Sequence, residues 1–429
     1  MFKHINNFIV LFLVIWTFST VNSQNTVYYN QYKSWSPELE NIANNSNNAM
    51  AIEALGSCYD RGDGVPRDTI KAFELFSRAA ELGDVLALYN LAWYQYKGYS
   101  TGRNYIEAEK NLLKVIEHNP NFKPAYLILA DIYEEGGDGI KSNYSKAFEL
   151  FSRAAELGDC FSLFKMGTYH ENGLLTGTPN FHEALKLYLQ VKDYWESYVN
   201  PAGYVSYKIA EYYLYGRGVD VDLDKAISYY NESLRYGFSL SYMNLATAYN
   251  KKGDLEQCFQ SLLTGYEKGI MEVCNNLGDC YYSGRGTEQS YKKAYEIFEI
   301  GAKSCPICKY RQSMMLRKGE GVKQDLQKAN MLLEESAQSG FGKAQYILGC
   351  DLYENKYYSK AIEYFEEALN GSISLIDEIK GDICRKLSIC YRFGRGVKTD
   401  ENKANEYNQK AASYGEPNSQ IIEDWLHQL

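Results

Sequence analysis

The sequence predicts an all-α protein, a right-handed α-α superhelix (solenoid) of about ten helix pairs, and three observations predict it. Fourteen residues, KAFELFSRAAELGD, occur twice without a change, at Lys71–Asp84 and Lys146–Asp159. A stripe of small, large and small residues, spaced by four and then three, recurs along the chain from Ala72 to Ala411. A short polar residue stands four positions before the first member of nearly every stripe. An array of this kind buries apolar surface between neighbouring copies, needs no central cavity, and presents one long face that suits binding better than catalysis.

A chain of 429 residues ordinarily suggests two or three domains, but a solenoid lengthens by adding units and escapes that expectation. Apolar residues make up 45% and charged residues 23%, as in a folded protein rather than a disordered one. A net charge of −9, with no cluster of Lys and Arg, argues against nucleic acid as a partner. Residues 1–23 read as a cleaved secretory signal: Lys3 and His4 precede an apolar run from Phe8 to Phe18, and Val21 and Ser23 suit cleavage before Gln24. The run is shorter than the about 20 residues that span a bilayer, and no second one follows, so no direct membrane span is expected in the mature chain. Residues 24–47 then read as a polar leader, 48–416 as the repeat array and 417–429 as a C-terminal cap or tail.

Ten units can be aligned on Ala72, Ala108, Ala147, Ala184, Ala226, Cys258, Ala294, Ala329, Ala361 and Ala404. Four residues later stand Phe76, Leu112, Phe151, Tyr188, Tyr230, Leu262, Phe298, Leu333 and Phe365, with Asn408 as the exception. Seven residues after the anchor no bulky side chain occurs: Ala79, Val115, Ala154, Val191, Ser233, Gly265, Gly301, Ser336, Ala368 and Ala411. Steps of four and three share one helical face, where large groups fill holes left by small ones. This is helix B of each unit. Its N-cap is read from Asp68, Asn104, Asn143, Asn180, Asp222, Asp254, Ser290, Asp325 and Asp400, with Tyr357 the exception. Helix A carries a small residue sixteen or seventeen before most anchors, namely Gly56, Ala92, Ala130, Gly167, Ala210, Gly278, Ser313 and Ser388. In six units a Tyr follows three later (Tyr59, Tyr133, Tyr213, Tyr249, Tyr281, Tyr391), to pack on the neighbouring helix with its hydroxyl at the rim.

Between A and B several units hold a glycine-rich turn: Gly62-x-Gly64-Val65, Gly216-x-Gly218-Val219, Gly284-x-Gly286, Gly319-x-Gly321-Val322 and Gly394-x-Gly396-Val397. Together with Leu55-Gly56, Tyr59, Asp68, Lys71-Ala72 and Ala79-Ala80, this pattern resembles the Sel-1-like repeat, a variant of the tetratricopeptide repeat. Two shorter units, anchored on Cys258 and Ala361, lack the turn and keep tetratricopeptide spacing. Units 2 and 4 depart from the turn at Lys97–Ser100 and Asn172–Leu175, where remodelled loops are expected.

Motifs for catalysis are sparse. Cys305-Pro306-Ile307-Cys308 would open helix A of unit 8, and a thiol at a helix N-terminus is the arrangement that redox cysteines use. No second C-x-x-C completes a zinc site. Asp220, Asp222 and Asp224 imitate the opening of a calcium loop, but Lys225 stands where Gly is required and Asn231 where Glu is. No phosphate-loop, H-E-x-x-H or G-x-S-x-G motif occurs. The expectation is a protein that is not an enzyme and takes no cofactor or metal. Ten cysteines follow the signal; Cys274 with Cys280 and Cys384 with Cys390 lie six apart on a helix, so any bridge must run between helices. Sequons stand at Asn44, Asn143, Asn231 and Asn370.

In tetratricopeptide arrays helix A lines the concave face. Carrying over its groove-facing positions, three before and one and four after the small residue, gives Tyr89, Trp93 and Tyr96 in unit 2. The same rule gives Tyr207, Glu211 and Leu214 in unit 5, and Asn275, Asp279 and Tyr282 in unit 7. Such a face suits an extended peptide or an exposed apolar segment. The expected function is a scaffold or adaptor of the secretory pathway. Resemblance to the luminal scaffold subunit of membrane ubiquitin ligases implies a role in endoplasmic-reticulum-associated degradation, with that ligase complex or a luminal chaperone as partner. The alternatives are a secreted or periplasmic repeat protein, stiffened by disulfides, that binds a host or envelope partner, and a thiol oxidoreductase using Cys305 and Cys308.

Overall fold

The computed structural model describes residues 34–415 except 101, 196–198 and 372–374. The expected signal, the start of the leader and the C-terminal tail therefore lie outside the described residues. Those described form helices joined by short turns, with no strand beyond one isolated bridge between Gly137 and Ile140. The chain divides into two compact parts, one through Asp222 with Arg235–Gly237, the other Leu223–Leu234 with the residues from Phe238 on.

The first part begins with α1 (Pro37–Asn45) and continues through four helix pairs. These are α2 (Ala49–Arg61) with α3 (Thr69–Glu81), α4 (Val85–Lys97) with α5 (Tyr105–His118), α6 (Lys123–Glu135) with α7 (Tyr144–Glu156), and α8 (Cys160–Asn172) with α9 (Phe181–Trp195). It ends on α10 (Val199–Tyr215). The second part opens on α11 (Leu223–Arg235) and holds the pairs α12 (Ser241–Lys252) with α13 (Leu255–Glu267) and α14 (Cys274–Ser283) with α15 (Tyr291–Gly301). The remaining pairs are α16 (Pro306–Lys318) with α17 (Leu326–Gln338), α18 (Gly342–Glu354) with α19 (Tyr358–Asn370), and α20 (Asp377–Phe393) with α21 (Glu401–Tyr414). In each part the extensive packing is between helices consecutive in the chain, as a stacked array requires.

The stripe on helix B is buried in every unit, from Ala72, Phe76 and Ala79 to Ala361, Phe365 and Ala368; only Asn408 of the last unit stays exposed. The hole that receives the large residue is on helix A of the same unit. A Cβ added to Gly56, Gly167 or Gly349 would lie 2.9, 2.7 or 2.6 Å from the ring of Phe76, Tyr188 or Phe365, and Gly278 is closer still to Phe298. Ring and glycine are thus complementary halves of one contact. The small residue at the far end of the stripe serves the next unit: Gly301 lies against Cys308 Sγ, at the start of α16.

Helix starts follow the expected caps. Asp68, Asn104, Asn143, Asn180, Asp254, Ser290, Asp325 and Asp400 each accept a backbone N–H two or three residues on, and Tyr357 makes no such bond. One orphan donor per helix is satisfied this way, a contribution of about 1 kcal/mol each. The Tyr of helix A packs as expected, and in four units its ring takes a cation from the residue just before the anchor. Lys71 lies over Tyr59, Lys146 over Tyr133, Lys293 over Tyr281 and Lys403 over Tyr391, at 4.1–5.3 Å from the ring centroid.

The glycine turn has a tertiary cause. Gly286 and Gly321 have φ of 73° and 70°, a left-handed conformation that β-carbon-bearing residues resist. Both also abut backbone of the preceding helix B, at Leu255 and at Tyr291–Lys292. The first glycine, Gly319, has the same hand, but a Cβ added there would meet nothing nearer than Gln324 Cβ at 3.5 Å. Gly321→Ala is therefore expected to cost about 2 kcal/mol more than Gly319→Ala, since it adds a backbone clash to the same left-handed strain; equal denaturant midpoints would contradict this.

The described part of the leader holds a helix: α1 is capped by Ser36, and its Leu39 and Ala43 are buried with Leu55 and Phe76. Trp35 meets Gly64 as later helices B meet the second turn glycine. An array must cover its terminal apolar face, and two apolar positions in a polar segment suffice. The turn of unit 2 is not remodelled. Ser100 takes the left-handed place of the second glycine at φ 70°, and its hydroxyl donates to the Thr69 carbonyl at 2.9 Å, tying it to the preceding helix B. Unit 4 does build a longer loop, with Gly177 N–H donating to the Gly173 carbonyl.

Candidate functional site

Polar contacts join successive helices A: one end of each lies three before, or one or four after, the small residue, and the other lies off those positions, most often two before it. In the first part Asn90 of α4 donates to Glu53 of α2 at 2.9 Å, and the Tyr94 hydroxyl, beside this row, donates to Asp60. Lys165 of α8 pairs with Glu134 of α6, and Lys208 of α10 with Glu171 of α8 at 2.6 Å. In the second part Arg311 of α16 pairs with Asp279 of α14 at 2.7 Å, Arg317 with Asp351 of α18 at 3.8 Å, and Tyr346 of α18 donates to Asp382 of α20 at 2.9 Å. Partial burial makes these pairs count for more than surface ion pairs, because water screens them less. They also hold successive helices A in register.

Against this row the nine expected binding residues separate into distinct situations. Leu214 is fully buried and Tyr96 nearly so, the latter stacked on Tyr105 with its hydroxyl on Glu135. These two are corrections: burial at the last turn of helix A claims the side chain. Glu211 is half-buried, taking the Tyr207 hydroxyl at 3.3 Å and Lys208 at 3.7 Å. Asp279 belongs to the Arg311 pair, Tyr282 donates to Glu320 at 2.8 Å, and Asn275 donates to Asn276. Tyr89 and Trp93 are half-buried, with Tyr89 edge-on to Phe122 and Lys97 4.7 Å above the Trp93 ring. Tyr207, also half-buried, stacks near Tyr204.

Sequence reasoning named Glu211 and Asp279 but missed the row's other acidic groups, Glu53, Glu134 and Glu171 among them. Asp131, one residue after Ala130, obeys the rule that selected Trp93 and stands between Lys97, Lys165, Glu134 and Glu135. Burial pushes its carboxyl up to about 7, with Glu134 and Glu135 adding to the shift and Lys165 and Lys97 opposing it. Between about pH 4 and 7 the folded chain then binds more protons here than the unfolded one, so stability falls as pH rises through that window. Asp131→Asn is expected to flatten the slope and stabilise the chain by about 1–2 kcal/mol at pH 7; thermal midpoints from pH 4 to about 7.5 check this, and an unchanged slope would count against it.

The ten cysteines are free thiols. Cys305 caps α16, half-buried, and Cys308 is fully buried behind it. The neighbouring Cys308 thiol and the N–H groups of Cys308 and Ile307 lower Cys305 to about 6 against the opposing effect of burial, while Cys308 is raised. Among the described residues no group of three His, Cys, Asp or Glu could hold a metal ion, and no helix is long and apolar enough to cross a membrane.

The model of the Sel1 repeat matches nine segments: 49–84, 85–119, 123–159, 161–190, 205–235, 272–304, 307–341, 342–372 and 383–415. The chain belongs to the Sel1 repeat family. The family's matches leave out α12 and α13, the unit in which Cys258 replaces the anchor Ala and the glycine turn is absent; its helix pair is nonetheless present. An uncharacterised Sel1-like repeat-containing protein of Schizosaccharomyces pombe is 26% identical over 336 residues, 71% of this chain and 48% of that protein. Chitin synthase regulatory factor 3 of the same yeast is 27% identical over 141 residues, 32% of this chain and 15% of that protein. The chain thus spans under half the length of these curated relatives. Among solved structures, c5321, a protective antigen of uropathogenic Escherichia coli displaying an SLR fold, superposes with TM-score 0.59 at 24% identity, covering 87% of this chain and 78% of that one. A Sel1 repeat protein from Oxalobacter formigenes gives 0.57 at 24% identity over 74% and 90%. Both show the fold, and a Sel1 repeat array is a protein-interaction scaffold.

Proposed function

We propose that this Sel1 repeat protein is a non-catalytic adaptor of the secretory pathway that holds a protein or peptide partner along helix A of its units. The observation that carries the reading is the bridged row itself: Tyr89, Trp93 and Tyr207 stay only partly buried, on helices tied to the preceding helix A by Asn90–Glu53 and by Lys208–Glu171. Aromatic side chains on a rigid support lose little entropy on binding, which makes them efficient anchors. The apolar run Phe8–Phe18 supports the compartment. The finer part of the proposal is a place in endoplasmic-reticulum-associated degradation, with a membrane ubiquitin ligase complex or a luminal chaperone as partner.

A photo-crosslinking residue at Trp93, with the tagged chain localised in the same cells, tests this. Luminal staining and crosslinked ligase subunits or chaperones are expected; crosslinks only from an exposed helix B site, or a cytosolic chain, would overturn it. A second reading, thiol exchange, rests on the lowered Cys305 thiol beside buried Cys308. It predicts mixed disulfides trapped by Cys308→Ala, and their absence removes it.

A further inference from the structure

A groove of about 570 Å³ in the second part is lined by Gln338, Gln345, Glu363, Glu366, Glu367, Asn370 and Gly371. It brings the end of α17, the start of α18 and the last two turns of α19 together, and none of these residues occupies an expected partner-facing position of helix A. Every side chain that lines it offers an oxygen acceptor, and three are carboxylates. Among the described residues no Lys or Arg forms an ion pair with Glu363, Glu366 or Glu367. The nearby Tyr364 hydroxyl registers the field, raised by its burial and by Glu334, Glu367 and Glu363.

Gln345 supplies the independent observation. The residue is 4% exposed, and its Nε2 donates to the Ala337 carbonyl at 3.1 Å and to Glu367 Oε2 at 3.2 Å. Two acceptors on one side assign the amide orientation, because a flipped amide would set oxygen against oxygen. Oε1 is thereby turned the other way, buried and without a hydrogen-bond partner, 3.9 Å from the point where a Cβ on Gly371 would lie at the groove wall. A buried acceptor left unpaired costs free energy that a donor entering the groove would recover. Glu366 is preset, its Oε1 accepting from the Tyr391 and Tyr407 hydroxyls at 2.9 and 3.1 Å.

We infer that this groove binds a basic side chain, the guanidinium group of an arginine on a partner protein. The carboxylates do not converge as a metal site does, and the space exceeds what a bare ion fills. A planar cation with five donors matches acceptors spread over three helices, which an ammonium group, with three donors at one point, does not. The groove is a contact separate from the row on helix A, so its failure would leave that reading standing.

The test uses the whole mature chain made without N-glycosylation, since Asn370 is also a sequon. Fluorescence anisotropy follows a labelled heptapeptide with two arginines, and the same peptide with citrulline in their place. The arginine peptide is expected to bind, the citrulline peptide at least about tenfold more weakly. Glu363→Gln with Glu367→Gln should lose about the same factor while the thermal midpoint stays put, and Gln345→Leu should weaken binding as well. Equal binding of the two peptides, no binding of either by the wild-type chain, or full binding by the double variant would each overturn the inference.

Discussion

Replacing Gly278 with valine is expected to lower the stability of the second part by about 3 kcal/mol or more, a cost at the upper end of overpacking a filled core. The ring atoms Cδ1 and Cζ of Phe298 lie 2.7 Å from the place a Cβ would occupy, with Cε1 closer still, and that ring is 1% exposed on α15, held on every side. It cannot swing away as the tip of a flexible side chain would. Phe298→Ala should cost a similar amount for the opposite reason, a cavity of phenyl size. The decisive measurement is the cycle. Gly278→Ala with Phe298→Leu should be more stable than the sum of the single losses predicts, because each relieves the other. Because each unit is stabilised through its neighbours, the loss should reach units on either side. Denaturant midpoints that add within about 0.5 kcal/mol would show that ring and glycine are not one contact.

Lys343→Met is expected to stabilise the chain by about 2 kcal/mol at pH 7, the effect of removing a buried charge whose position an apolar side chain can fill. Lys343 stands in the first turn of α18, 1% exposed, with Nζ 5.5 Å from the Tyr310 ring centroid. Burial lowers its ammonium to about 7, Arg311 lowers it further, and Asp279 opposes both. The sign follows from proton counting. From about pH 7 to 10.5 the unfolded chain binds the proton that the folded chain has lost, so wild-type stability rises with pH across that window. The variant has no such group, and its curve should be flatter there. Thermal melts of both proteins from about pH 6 to 10 decide it; parallel curves would mean that Lys343 stays charged when folded.

How far the sequence could be read is clearest where it failed. Phe298 was placed on helix B and Gly278 on helix A by counting from an Ala, but that the ring sits against that glycine was not read. Leu39 and Ala43 were not read, because two apolar residues on one short helix make no period long enough to see. Ser100 hid a turn of the same hand as its glycine counterparts, since the hydrogen bond to Thr69 that sustains it joins residues 31 apart. Leu214 was offered to a partner by a positional rule blind to which last-turn side chains the fold would bury.

The sequence by itself determined the helix pairs, their caps and the small-large-small stripe of helix B. All of these depend on spacings of three to seventeen residues that repeat, and repetition makes a weak local pattern legible. Only the tertiary structure decided the row that joins Glu134 to Lys165, 31 residues apart, and Glu171 to Lys208, 37 apart, and the unpaired oxygen of Gln345 at its groove. Those contacts are set by how far one unit turns on the next, and that rotation comes from side-chain packing across the boundary rather than from any period along the chain.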